Sequence, residues 1–140
     1  EGADALIVTT GIGLGASLEA AEELGLQGLA TAVLHCPTIK PLDIETILDY
    51  VAPVRVVVSF EEHTIIGGLG SALAETIAEA GFNPGKRFKR IGIPDMFADQ
   101  YGSQSSLMER YSLTSQALVS NVRLLAEQNA AVPYSASKGP

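Results

Sequence analysis

The sequence is poor in the features that mark several specialised classes of protein. Its 140 residues include one cysteine, Cys36, and no tryptophan. A single cysteine forms neither an internal disulfide nor, by itself, a zinc site, which excludes a disulfide-stapled domain. We therefore expect a reducing, cytoplasmic setting. No apolar run approaches the roughly 20 residues that a membrane-spanning helix needs.

Basic residues are also scarce. Nine Lys and Arg stand against sixteen Asp and Glu, which gives a formal net charge of -7. Because such a chain repels phosphate backbones and anionic lipids, we expect neither nucleic acid nor a membrane as its partner. The length and the 46% hydrophobic content fit one globular domain. We predict a single domain over residues 1–128, followed by a small, polar, flexible tail over residues 129–140.

Short apolar runs alternate with amphipathic stretches along the chain. This alternation predicts a three-layer αβα fold built on a doubly wound, mainly parallel sheet of four to five strands. The runs at residues 5–9, 29–34, 54–60 and 88–93 are the predicted strands. The last run is rich in basic residues and follows a helix through a short link. We expect it to form an antiparallel strand at the sheet edge.

Helix signals lie between these runs. Asp43 and Thr114 are predicted N-caps, and Gly81 is a predicted C-cap. A helix after the first strand is expected to turn its leucine and alanine stripe inward, with Leu18 in that stripe. Residues 96–106 are expected to be irregular, and a short helical turn is expected over residues 107–111.

The stretch most informative about function covers residues 59–75. An acidic pair and a histidine follow the third apolar run, and a glycine turn then leads into a long helix. Such a polar strand end lies where open α/β sheets place ligands and partners. The candidate interface residues are Glu61, Glu62, His63, Gly67, Gly68 and Gly70.

Acid–base chemistry and a structural role are both open for the polar triplet. Adjacent strand residues point to opposite faces, so at most Glu61 and His63 point the same way, with Glu62 opposed. We favour an interface or structural role, with His63 the one weak catalytic candidate. No metal site is expected, because His35, the only other histidine, follows a different strand. No cofactor-binding residue is expected in this chain.

Four further features are open to a structural and a functional interpretation. Gly11, Gly13 and Ala16 satisfy a dinucleotide-type pattern, but no acid follows the second strand, so a plain turn is favoured. Cys36 is interpreted as a small core residue. The basic residues at 86–90 suit a phosphate or, more commonly, a solvated edge. Tyr101 and Tyr111 lie in the least regular region.

Four segments in this order carry a family resemblance. They are residues 38–43 (TIKPLD), 60–75 (FEEHTIIGGLGSALAE), 90–97 (RIGIPDMF) and 107–114 (LMERYSLT). Through them the chain resembles the C-terminal domain of transketolases up to about Gln128, and most of all the split form in which this section is a separate chain. Ala98 and Ser112 stand where the family usually has glycine.

The resemblance implies a thiamine diphosphate enzyme that moves a two-carbon ketol unit between sugar phosphates. It implies that the diphosphate, the magnesium ion and the aminopyrimidine are held by two preceding domains across a dimer interface. This chain would then act in assembly of a homodimer with those domains or with a separate subunit, and would be inactive alone. Alternatives are the corresponding domain of a deoxyxylulose-phosphate synthase or of a 2-oxoacid dehydrogenase β subunit. An alternative of another class is a small-ligand-binding regulatory module.

Overall fold

The computed structural model describes residues 3–97 and 100–128. The predicted tail and Ala98 lie outside this range. Strands and helices alternate through most of the described chain. The elements are β1 (Ala5–Thr9), α1 (Gly13–Leu26), β2 (Thr31–His35), α2 (Ile44–Val51), β3 (Val56–Thr64), α3 (Leu69–Ala80), β4 (Arg87–Ile93), α4 (Gln104–Arg110) and α5 (Ser115–Glu127).

The four strands form one sheet in the order β2-β1-β3-β4. All three strand pairs are parallel. The prediction of an antiparallel edge strand is therefore wrong, although β4 does lie at an edge. The reason is that α3 itself carries the chain back along the sheet between β3 and β4, which is the crossover that parallel neighbours need.

The core has two halves, one on each face of the sheet. Alternate residues of β1 point to opposite faces: Ile7 packs with α1 and α5, whereas Leu6 packs with α2 and α3. The central strands β1 and β3 are apolar on both sides because each side is covered by helices. The predicted three-layer αβα architecture is confirmed.

The predicted helix ends are confirmed. The Asp43 side chain accepts a hydrogen bond from the Thr46 amide at 3.1 Å, and the Thr114 hydroxyl accepts one from the Ala117 amide at 3.2 Å. Gly81 has φ 61°, the left-handed conformation that ends a helix without a β-carbon clash. These signals are local, which is why the sequence predicts them well.

Several predicted boundaries and faces are wrong. Leu18 is 54% exposed, because the buried stripe of α1 is Gly13, Ser17, Ala20 and Leu24. The structure begins α4 at Gln104, inside the stretch predicted to be irregular. The third strand continues past Phe60 to Thr64, because β4 pairs with it over that length. The second strand begins at Thr31 rather than at Leu29.

Candidate functional site

A cleft opens at the carboxyl ends of β1 and β3. The chain leaves β1 toward β2 on one side and returns to β3 on the other, so the connections diverge here, as at the ligand sites of open α/β sheets. We call it the switch-point cleft. It has a volume of about 320 Å³ and is lined by residues 10–12, Ile39, residues 61–63, Gly67 and Gly68.

Glu61 has a structural role in this cleft. Its side chain is 1% exposed, and its two carboxylate oxygens accept the amides of Leu69 at 2.7 Å and Gly70 at 2.8 Å. These amides belong to the first turn of α3, where backbone N–H groups have no acceptor within the helix and the helix dipole favours negative charge. Gly68, which has no side-chain cap of its own, is the N-cap residue. The carboxylate therefore caps α3 from the end of β3.

Gly68 is required by this arrangement. Its φ is -94°, which any residue adopts, so its need for glycine is steric. A β-carbon there would overlap with the Glu61 carboxylate and would lie 2.9 Å from Nδ1 of His63. The same contacts show that Glu61 and His63 point to one side of β3, as the sequence predicts.

His63 and Glu62 are the exposed members of the triplet. Nδ1 of His63 lies 2.8 Å from the Thr64 carbonyl oxygen. Since a carbonyl only accepts, Nδ1 is the donor in this contact. Glu62 meets α4, where Nε2 of Gln104 lies 3.4 Å and 3.5 Å from its oxygens, at the long end of hydrogen-bonding range. The triplet thus consists of one buried capping carboxylate and two exposed polar side chains.

A polar brace fixes the loop between β3 and α3. The guanidinium of Arg90 donates to the Ile65 carbonyl at 2.6 Å and to the Ser71 hydroxyl at 3.1 Å. That hydroxyl also accepts the Gly67 amide at 3.0 Å. No short-range pattern links these positions, so sequence reasoning, which placed Arg90 in the basic cluster, missed its bracing role and missed Ser71. Gly70 packs against the brace, since a β-carbon there would lie 2.8 Å from Cγ of Arg90.

The first glycine turn has a packing explanation. A β-carbon on Gly13 would lie 2.6 Å from Oγ1 of Thr9 and 2.9 Å from Cδ1 of Phe60. Gly11 has φ 56°, which turns the chain into α1. Both glycines are accounted for by the fold, which supports the interpretation of this turn as a plain strand-to-helix connection.

Cys36 is a core residue, as predicted. Its side chain is 8% exposed and packs beneath α2 with Ile47 and Leu69. Burial, and secondarily the Asp43 carboxylate, raise the pKa of its thiol above the usual 9.0. The thiol is therefore protonated at neutral pH, which is unfavourable for a nucleophile.

The basic cluster of β4 is not a solvated edge throughout. The Lys86 ammonium donates to the carbonyls of Ala52 at 2.7 Å and Val54 at 2.8 Å, and burial lowers its pKa. The Arg87 guanidinium donates to the Leu125 carbonyl at 2.7 Å. Both side chains thus serve carbonyls at the carboxyl ends of helices α2 and α5, where cations are favoured.

The two tyrosines of this region, Tyr101 and Tyr111, lie in different environments. Tyr101 is fully exposed, and Phe97 nearby is 97% exposed. Tyr111 packs against the core beneath α5, and its hydroxyl has no hydrogen-bond partner among the described residues. The structure gives neither tyrosine a place in the switch-point cleft.

The described residues form neither a metal-binding cluster nor a helix able to span a membrane. Across residues 3–97 and 100–128, no three His, Cys, Asp or Glu side chains come together in a way that could hold a metal ion. None of the helices in that part of the chain is long and apolar enough to cross a membrane.

Comparisons with known proteins point in one direction. A putative uncharacterized transketolase family protein of Sinorhizobium fredii is 42% identical over 124 residues, which cover 88% of this chain and 35% of the relative. A 1-deoxy-D-xylulose-5-phosphate synthase of Heliobacterium modesticaldum is 39% identical over 127 residues, which cover 91% of this chain and 19% of the relative.

A solved structure has the same fold. It is described as "Split gene transketolase, inactive beta4 tetramer", is 35% identical with a TM-score of 0.80, and the match covers 90% of this chain and 40% of that one. The chain thus spans about a third or less of these two relatives and two fifths of the solved chain. The sequence also matches the family described as "Transketolase, C-terminal domain" over residues 1–118. The chain belongs to this transketolase C-terminal domain family, as its motifs predicted.

Proposed function

We propose that the chain is the assembly domain of a thiamine diphosphate-dependent enzyme that transfers two-carbon ketol units between sugar phosphates. The diphosphate, its magnesium ion and the aminopyrimidine are held by preceding domains, either in one polypeptide or in a separate subunit. This chain packs against those domains, helps to build a cytoplasmic homodimeric enzyme, and is inactive alone.

The observation that carries this proposal is the hydrogen bonding of Glu61. A glycine turn that leads into a helix N-terminus is where α/β folds bind phosphate, through backbone amides and the helix dipole. Here the amides of Leu69 and Gly70 already bind the buried Glu61 carboxylate. A diphosphate would have to displace a carboxylate of this chain. The residues therefore do not fit the cofactor's diphosphate, which supports its binding elsewhere.

Exposed apolar side chains support an assembly role. Ile12, Ile39 and Ile66 follow β1, β2 and β3 and are 44%, 38% and 54% exposed. Ile12 and Ile39 line the switch-point cleft, and Ile66 lies in the braced loop between β3 and α3. Exposed aliphatic side chains grouped at one end of a sheet are typical of a protein contact surface.

The relatives support the division between chains. The solved neighbour is described as an inactive tetramer of β chains from a split gene. By analogy, we expect this chain to associate stably and to need a partner for activity. The match to a 1-deoxy-D-xylulose-5-phosphate synthase keeps that synthase as an alternative parent, beside a 2-oxoacid dehydrogenase β subunit. The sequence of the preceding domains discriminates among the three.

A regulatory ligand module is the competing function, because the switch-point cleft has room for part of a small ligand. Calorimetric titration of NAD and ATP into the chain tests it. Saturable micromolar binding would favour the regulatory module over the assembly domain.

Sedimentation velocity tests the assembly proposal. The chain is mixed with the subunit that supplies the preceding domains, and thiamine diphosphate binding is measured for each alone and for the mixture. We expect a defined complex, with cofactor binding by the partner or by the complex. Cofactor binding by this chain alone, or the absence of a complex, would contradict the proposal.

A further inference from the structure

We propose that the switch-point cleft receives a basic side chain, an arginine or a lysine, from the protein segment that supplies the preceding domains. This inference rests on the proposed function, because it names the chemistry of the partner at the same contact surface. The observation behind it is that Glu62 is the exposed acidic residue of the cleft, whereas Glu61 is buried and caps α3.

Among the residues that the structure describes, no basic side chain forms a salt bridge with the Glu62 carboxylate. The guanidinium of Arg90, which reaches the loop from β4, donates to the Ile65 carbonyl and the Ser71 hydroxyl. Lys40 stands next to Ile39 in the sequence and makes no ion pair with Glu62 in the described chain. The Glu62 side chain has one contact in the described chain, with Nε2 of Gln104, and its distances of 3.4 Å and 3.5 Å are long for a hydrogen bond.

A protein that covers the cleft would have to compensate the negative charge of the Glu62 carboxylate. In the isolated chain Glu62 is exposed and hydrated. A partner that covers it removes water, and a buried charge is costly unless it is paired and hydrogen-bonded. A basic group on the partner supplies that pair. The net charge of -7 also favours approach of a basic surface.

The rest of the cleft fits a long basic side chain. Ile12 and Ile39 present partly exposed aliphatic walls, against which the methylene stem of arginine or lysine packs. The charged end of such a side chain reaches the Glu62 carboxylate, and a guanidinium can donate to both of its oxygens.

Other occupants fit less well. An anion such as a sugar phosphate would meet the Glu62 carboxylate, and the amides of Leu69 and Gly70 are already taken by Glu61. A wholly apolar partner segment would bury Glu62 without a counter-charge. The basic side chain satisfies the carboxylate and the apolar walls together.

The first test measures the affinity of the chain for the partner subunit by biolayer interferometry, at low and high salt. We expect Glu62→Lys to weaken binding at least about tenfold and Glu62→Gln to weaken it less, because loss of one member of a covered charge pair raises the off-rate. Glu79→Lys is the control, since Glu79 is an exposed glutamate at the other end of α3. It should stay within about twofold of wild type. Binding by Glu62→Lys within that same range would overturn the inference.

A second test needs no partner subunit. N-acetyl-arginine amide and its neutral analogue N-acetyl-citrulline amide are titrated into the ¹⁵N-labelled chain. We expect the arginine compound alone to shift the amides of Gly11, Gly67 and Gly68, and Glu62→Gln to abolish the shifts. Equal effects of the two compounds would overturn the inference. Shifts specific to arginine, in a chain that fails to bind the partner subunit, would uphold the cleft and contradict the proposed function.

Discussion

The carboxylate of Glu61 lies so close to Gly68 that no β-carbon fits between them. One residue ends the buried part of β3, and the other is the N-cap of α3. Their contact joins a strand to the helix that follows it without a side-chain cap from the turn itself. The glycine turn is thus shaped around an acid of the same chain, which leaves Glu62 and His63 as its outward-facing groups.

Removing the Glu61 carboxylate should destabilise the chain. Glu61→Ala leaves two amides at the buried start of α3 without acceptors and is expected to cost about 2–4 kcal/mol of unfolding free energy. Glu61→Gln keeps one acceptor but turns an NH₂ group toward an amide N–H, and is expected to cost about 1–2 kcal/mol. Urea unfolding followed by circular dichroism measures both.

Glu62, the exposed neighbour of Glu61, provides the control for the two Glu61 variants. Glu62→Gln should change the unfolding free energy by less than about 0.5 kcal/mol, because Glu62 makes only a long contact at the surface. A Glu61→Gln variant as stable as wild type would contradict the capping role of Glu61.

Two glycines in α1 should respond in opposite directions to the same substitution. Gly13→Ala drives a methyl group against Thr9 and Phe60 and is expected to destabilise by about 1–3 kcal/mol. Gly15→Ala meets nothing within 4 Å and is expected to stabilise by about 0.5–1 kcal/mol, because alanine is the better helix former. Thermal and urea unfolding of the two variants compare them directly. Equal effects would show that Gly13 is not held by packing.

Ser112 should be improved by the glycine that its family usually has. Its φ is 56°, and it is the one non-glycine residue with positive φ in the described chain. Because a β-carbon is unfavourable in that conformation, Ser112→Gly is expected to stabilise by about 0.5–1 kcal/mol despite the added freedom of the unfolded chain. The increase in urea midpoint is the measurement, and a decrease would contradict the strain at this position.

The sequence predicted the features that depend on neighbouring residues. The N-caps Asp43 and Thr114 and the left-handed Gly81 are each defined within a few positions, and all three have the expected geometry. The opposed directions of Glu61 and Glu62 follow from the alternation of a strand. The family resemblance added the identity of the domain, which no single motif establishes.

Features that depend on distant contacts were beyond the sequence. The direction of β4 is different, because the order strand–helix–strand already indicates a parallel crossover, and the prediction gave more weight to the basic residues and the short link before β4. Leu18 has the right spacing for a buried face, but the spacing alone does not say which stripe of α1 meets the sheet. The brace from Arg90 to Ile65 spans 25 positions and has no local signal.

Cys36 should give the chain a component of stability that disappears in alkali. Its thiol pKa is raised by burial above 9.0, the ordinary value. Below pH 9 both states are protonated; above it the unfolded thiol ionises first, so folding weakens as pH rises toward the folded pKa. The stability difference between wild type and Cys36→Ala should therefore be constant below about pH 8 and decline above pH 9. A difference independent of pH up to the alkaline limit would contradict the raised pKa.

The central claim is that this chain completes an enzyme whose cofactor and chemistry reside in other domains. Its most direct test is a ketol-transfer assay with thiamine diphosphate and magnesium, in which the partner subunit is titrated with this chain. We predict no activity from this chain alone, little from the partner alone, and a rise that saturates at equal amounts of the two. Full activity of the partner without this chain, or turnover by this chain alone, would contradict the account.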